Sequence, residues 1–94
     1  MTLFKLQVAS PDGLKFEGEV RQLSARGICG ELAIMAGHIP FVTALAPGEC
    51  RIYTEKEGEI LRANASGGML VVADDGVRLM SADFVWSDSA RALI

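Results

Sequence analysis

The sequence predicts an all-β protein: an antiparallel β-sandwich of about eight to ten short strands, with a short helical start at the C-terminus. Three observations carry that prediction. Apolar residues alternate with polar ones at a period of two along most of the chain, the period at which a strand sends successive side chains to opposite faces. Turn signals built from Gly, Pro and Asp recur between those runs. Finally, Asp75-Gly76 lies between two apolar runs, Met69–Val72 and Val77–Met80, as a tight hairpin requires.

In chain order, Phe4, Leu6 and Val8 share one face of a first strand, and Pro11-Asp12-Gly13 turns it. Leu14–Phe16 and Glu19–Leu23 continue the alternation, with Gly18 expected as a bulge or bend between them. Leu32 and Ile34 alternate with smaller residues. Gly37-His38-Ile39-Pro40 then sets a permissive backbone beside a fixed one, the mark of a rigid turn. Phe41, Val42, Ala44 and Leu45 resume an apolar strand that Pro47-Gly48 closes. Arg51–Thr54 leads to a charged tip, Glu55-Lys56-Glu57-Gly58, and Ile60–Ala63 returns from it. Asp83–Trp86 finishes a strand, after which residues 87–92 offer capping residues followed by helix formers. Two segments result: a sandwich over 1–86 and a helical start over 87–94.

Composition bounds the function. A chain of 94 residues has room for one domain, which at this size buries about 60% of its unfolded surface. Half of the residues are hydrophobic, yet no uninterrupted run reaches the roughly 20 residues of a membrane helix. Met1–Leu6 already alternate as a strand and carry neither a charged leader nor a small-residue cleavage site, so export is not expected. The net charge of −3 repels phosphate backbones and points away from nucleic acid and toward a basic protein surface. Cys29 and Cys50 lack metal-ligand spacing and read as idle thiols of a reducing compartment.

No catalytic constellation emerges. His38 is the single histidine, the acidic residues are scattered over hairpin tips, and no Ser-His-Asp, paired-Cys or metal arrangement can be built. Neither enzymatic activity, nor a cofactor, nor a metal is expected. From the residues alone, a free-standing sandwich that binds a ligand or a protein is one reading.

Several motifs carry a more specific one. Gly30-Glu31-Leu32, Gly37-His38-Ile39-Pro40 and Val42-Thr43-Ala44-Leu45-Ala46-Pro47-Gly48 follow in order, flanked by Phe4–Gly13 and Phe16–Val20 upstream and by Ala65-Ser66-Gly67-Gly68 and Val77–Ala82 downstream. This series resembles the amino-terminal β-sandwich domain of the epsilon-subunit family of F-type ATP synthases. Ala36 departs from it, standing where that family usually has proline.

The resemblance implies a non-catalytic central-stalk, or rotor, subunit that links the gamma subunit to the c-ring of the membrane sector. It implies a peripheral place at the cytoplasmic face of the bacterial inner membrane, reached only through the complex. In the family, the loop here spanning Arg26 to Glu31 meets the polar, basic loops of the ring. Ile28, Cys29 and Glu31 are therefore the implied c-ring contacts, with Glu31 contributing exposed ion pairing of roughly 0 to 1 kcal/mol and Ile28 apolar area at about 25 cal/mol per Å². Ser10, His38 and Thr43 map to the gamma-facing region, with Thr43 expected outward on its strand. Asp88-Ser89-Ala90-Arg91-Ala92 matches part of the motif that opens the family's carboxy-terminal helical hairpin, which in some members helps to bind ATP. Asp88 and Arg91 form half of that motif, Ser87 stands where it has Ile or Leu, and without the basic residues of the hairpin this half is expected not to hold nucleotide.

Overall fold

The structure is a computed structural model and describes residues 2–37 and 39–87. Nine strands run through them: β1 (Phe4–Ser10), β2 (Gly13–Gly27), β3 (Gly30–Met35), β4 (Phe41–Leu45), β5 (Gly48–Thr54), β6 (Ile60–Ala65), β7 (Gly68–Ala73), β8 (Gly76–Ser81) and β9 (Phe84–Trp86). The expected helical start at 87–94, with Asp88 and Arg91, lies outside the described residues beyond Ser87.

All nine strands bond into one continuous sheet that folds over itself, because β2 belongs to both of its layers. The first half of β2 pairs with β1 from Gly13↔Ser10 to Val20↔Phe4. Its second half is flanked on one side by β3, with Leu23 opposite Ile34, and on the other by β5, with Leu23 opposite Ile52. One layer is therefore β4-β7-β8-β1 with the start of β2, and the other is β3, the end of β2, β5, β6 and β9. Where sequence alternation suggested two strands with a break at Gly18, there is one strand of 15 residues. Gly18 sits in regular register opposite Leu6, and the irregularities fall instead between Val8 and Ala9 and between Val20 and Gln22. A Cβ at Gly18 would meet the Phe16 ring at 3.4 Å, an ordinary packing distance.

The core is the interlocked inner face of both layers. Leu6, Val8, Leu70 and Leu79 come from the first, and Leu23, Ile34, Ile52 and Ala63 from the second, all at most 2% exposed. Trp86 packs edge-on against Phe84, at 5.2 Å between ring centroids, and against Phe16, at 6.4 Å, so that β9 closes one flank by touching the first half of β2. The β7–β8 hairpin forms where the sequence places it but closes one residue earlier than an Asp75-Gly76 turn would: Ala73 lies opposite Gly76, the loop is Asp74-Asp75, and neither aspartate has the positive φ of a type I′ turn.

One pairing departs from the antiparallel expectation, since β1 and β8 run parallel from Leu6↔Val77 to Ala9↔Met80. Parallel neighbours need a long connection, and here it is everything from β2 to β7. Local turn chemistry is silent about such a contact.

Candidate functional site

The β2–β3 connection is the first exposed apolar point. Strand pairing extends to Gly27↔Gly30, which shrinks the expected Arg26–Glu31 loop to Ile28 and Cys29 alone. Ile28 is 64% exposed and Cys29 is exposed beside it. The tip is fixed in place: the Ile28 amide donates to the Ala44 carbonyl at 3.3 Å, and the Ala46 amide donates to the Arg26 carbonyl at 2.9 Å. The glycines at its base let the chains close up, since a Cβ on Gly27 would come 3.0 Å from the Gly30 carbonyl oxygen and one on Gly48 would come 2.8 Å from Arg26 Cδ. Glu31 is exposed, and its carboxylate stands 3.9 Å from Arg26 Nη1, a loose pair that leaves both charges available to a partner.

The second apolar surface is the outer face of β4-β7-β8-β1. In register, Ala44 lies opposite Met69, Met69 opposite Met80, and Met80 opposite Ala9. The neighbouring row runs Val42, Val71, Arg78, Gln7. Val42 is 58% exposed and Met69 and Met80 are 43% exposed each, so large apolar side chains face water in adjacent positions. At the methionines is a shallow, open cleft of about 410 Å³ whose lining is almost wholly apolar and includes Ala9, Pro11 and Ala82, with Ser10 among them. The outer face of the other layer is mixed: Glu49 pairs with Arg51 at 3.3 Å and stands 4.0 Å from Arg62, and Gln22 donates to Ser24 Oγ, while Met35 opposite Gln22 and Val85 opposite Asn64 are exposed single apolar residues.

Ala44 joins the two apolar surfaces. Its carbonyl holds the Ile28 tip and its position pairs with Met69, so the path from the tip to the methionine face is continuous along the end of β4.

Of the residues singled out from sequence, Ile28, Cys29 and Glu31 come together at one tip. Ser10 ends β1 at the cleft, where its hydroxyl donates to Asp12. That bond, with the Lys15 ammonium 3.2 Å away, holds the Asp12 carboxyl below its usual range. Thr43 is half-buried and lies opposite the fully buried Leu70, so the outward positions of β4 are Val42 and Ala44. The alternation in β4 is thus one residue out of phase with the expectation for Thr43. Its hydroxyl donates to the Ala44 carbonyl at 3.3 Å. His38 lies outside the described residues.

Sequence reasoning missed Met69, Met80 and Val42 as a surface. The signal was there: Met69-Leu70-Val71-Val72 has no polar face, although only one face of a two-layer strand is covered by the other layer. Cys50, in contrast, is sealed in the core, where burial first and then Glu31 and Glu49 push its thiol from 9.0 up to about 11. Among the described residues, no group of three His, Cys, Asp or Glu side chains is placed to hold a metal, and no helix is long and apolar enough to cross a membrane.

Comparison with known proteins agrees with this fold. A family model described as ATP synthase, Delta/Epsilon chain, beta-sandwich domain matches residues 3–87. The ATP synthase epsilon chain of Ruminococcus albus is 35% identical over 89 residues, covering 94% of this chain and 65% of the relative. That of Caldicellulosiruptor saccharolyticus is 38% identical over 96 residues, covering 99% of this chain and 69% of the relative. This chain thus spans about two thirds of the length of these relatives. Among solved structures, a chain of the Euglena gracilis mitochondrial ATP synthase, in an assembly of OSCP, F1 and c-ring, superposes with a TM-score of 0.84 at 26% identity over 92% of this chain and 54% of its own. A chain of the Tetrahymena thermophila mitochondrial central stalk and c-ring shares the fold, with a TM-score of 0.72 at 17% identity over 86% of this chain and 64% of its own.

Proposed function

Because the chain belongs to the family of the ATP synthase delta/epsilon chain β-sandwich domain, we propose that it is a non-catalytic rotor subunit of an F-type ATP synthase that joins the gamma subunit to the c-ring. The observation that carries this reading is the presence of two exposed apolar surfaces, the Ile28 tip and the Met69–Met80 face, on one closely packed body. A coupling element needs two adhesive surfaces and little compliance between them. A sandwich with a dry interlocked core supplies the stiffness.

In this reading the tip meets the ring. Ile28 and Cys29 bring desolvated contact, and Glu31, only loosely held by Arg26, orients the domain against basic ring loops. The outer face of β4-β7-β8-β1, with Ser10 at its margin and Val42 beside Thr43, meets gamma; His38 belongs to the same proposed contact by family resemblance. The domain takes its place at the cytoplasmic face of a bacterial inner membrane through the complex and needs no cofactor of its own. Mixing the purified chain with its cognate gamma subunit on a sizing column tests the proposal. Co-elution at micromolar concentration, with no ATP turnover by this chain alone, is expected, and separate elution overturns it.

A further inference from the structure

The outer face of the β3-β2-β5-β6-β9 layer gathers positive charge, although the chain as a whole carries −3. Arg51 and Arg62 lie directly opposite one another on β5 and β6, and like charges so placed destabilise a sheet unless an anion stands between them. One carboxylate does so. Glu49 Oε1 is 3.3 Å from Arg51 Nε and Glu49 Oε2 is 4.0 Å from Arg62 Nε, so a single anionic group reaches both guanidiniums. Two cations and one anion leave a net positive charge at the pair. The fit is also incomplete. Arg51 Nε is sealed from solvent and donates no hydrogen bond, because the Glu49 oxygen lies off its N–H line, whereas buried donors are nearly always paired. Both contacts run through Nε and leave the outer Nη pairs, on side chains 39% and 52% exposed, for a further acceptor.

Two hydroxyls extend the row. Ser24 lies opposite Arg51 on β2, and Ser87 follows β9 beside Arg62, its amide donating to the Arg62 carbonyl at 2.9 Å. Ser24 Oγ already accepts from Gln22 Nε2 at 3.2 Å, and Ser87 Oγ accepts from Asn64 Nδ2 at 3.4 Å, which leaves each hydroxyl its proton to donate. The sheet thus presents four donors in line, Ser24, Arg51, Arg62 and Ser87, with one poorly aligned acceptor beside them. From this row we propose that Arg51 and Arg62, flanked by Ser24 and Ser87, form a binding site for a phosphate group, with Glu49 as its internal competitor. Phosphate is the fitting anion because it has more acceptor oxygens than a carboxylate and matches the planar guanidinium fork. The site lies on the layer away from the methionine face and stands independently of the docking reading above.

The test titrates the full chain with sodium phosphate near neutral pH, at an ionic strength held fixed with sodium chloride, and reads the backbone amides of β5 and β6 by NMR. The signals around Arg51 and Arg62 should shift and saturate with a midpoint of about a millimolar, and chloride alone should not move them. Arg51→Gln and Arg62→Gln should each weaken binding about tenfold, since each removes a charged donor fork. Glu49→Gln should strengthen it about threefold or more by removing a like charge from the site, a gain that a damaged fold does not produce. Glycerol phosphate as a second probe separates the sources. Equal affinity for both probes identifies a phosphate carried on a larger molecule, and affinity for inorganic phosphate alone identifies the free anion. Shifts that never saturate, that chloride reproduces, that persist at full strength in Arg62→Gln, or that Glu49→Gln leaves no stronger overturn the site and reduce the arginine pair to a solvated patch.

Discussion

Arg21 donates from Nε to the carbonyl oxygen of Thr54, 33 residues further along the chain. Arg21 occupies the point at which β2 changes register against β5, and its Nη2 reaches the Lys56 carbonyl at 3.2 Å and the Glu59 carbonyl at 3.3 Å as well. The charged β5–β6 tip is therefore tied to the bend in β2 by one guanidinium. Thr54 completes the tie, with its hydroxyl donating to Glu59 Oε1 at 2.6 Å and accepting from the Lys56 amide at 3.2 Å.

Replacing Arg21 with Ala should lower stability by about 1–3 kcal/mol, because three carbonyl groups lose a charged donor, some of them part-buried. Arg21→Lys should recover less than half of that, since an ammonium cannot span the same three acceptors from one planar fork. Urea unfolding of the three proteins gives the comparison.

Gly68 is irreplaceable for a different reason. It has φ of +142°, and a Cβ built on it would lie 1.9 Å from the Met80 carbonyl oxygen, inside the β7–β8 ladder. Gly68→Ala should cost about 3 kcal/mol or more, since backbone on both sides must move. Gly13→Ala provides the contrast: φ is +136° there but nothing lies within 4 Å, so only backbone strain of about 1 kcal/mol is expected. Similar melting temperatures for the two variants would contradict the close approach at Gly68.

Cys50 makes stability fall in alkali. Its thiol is raised from 9.0 to about 11 in the folded state, so the folded protein holds its proton more tightly than the unfolded chain does. That contribution is complete below pH 9 and is lost as pH rises toward and through 11, amounting to about 2–3 kcal/mol. Cys50→Ala should flatten this part of the pH–stability curve while lowering stability at neutral pH through the lost packing. In the native protein at neutral pH, a thiol reagent should label Cys29 alone, and both cysteines once urea is added.

Glu31→Lys should leave the fold within about 0.5 kcal/mol of wild type, because the carboxylate is exposed and its Arg26 contact is loose. In the assembled synthase it should reduce ATP-driven ion pumping in reconstituted membranes. Undiminished pumping would count against the ring-facing assignment.

How much of this was legible in the sequence varies with range. Asp75-Gly76 announces that a hairpin falls there but not its register, since the loop is Asp74-Asp75 and Gly76 already pairs with Ala73. The all-β class follows from alternation along nearly every strand. The parallel β1–β8 contact was out of reach, since it depends on how distant hairpins settle against one another and no local residue reports it. Gly18 was misjudged because a glycine in an alternating run does not by itself disrupt a ladder, and only the pairing with Leu6 shows that this one does not. At the proposed surfaces, Ile28 was legible as an apolar residue at a turn. The phase of β4 was not: Phe41, Val42, Ala44 and Leu45 are all apolar, so the pattern itself does not say whether Thr43 or Val42 faces outward.

The single strand that belongs to both layers also fixes how the body transmits force. β2 runs unbroken from the first turn to the base of the Ile28 tip, and Arg21 braces it at the bend. A push on the tip enters the far layer by two backbone routes, along β2 itself and through the hydrogen bonds that tie the tip to the end of β4, as a load enters a roof through a cranked beam and its strut. Torque arriving at one surface would therefore meet resistance from bond angles and hydrogen-bond ladders acting in shear, the least compliant elements a small protein has.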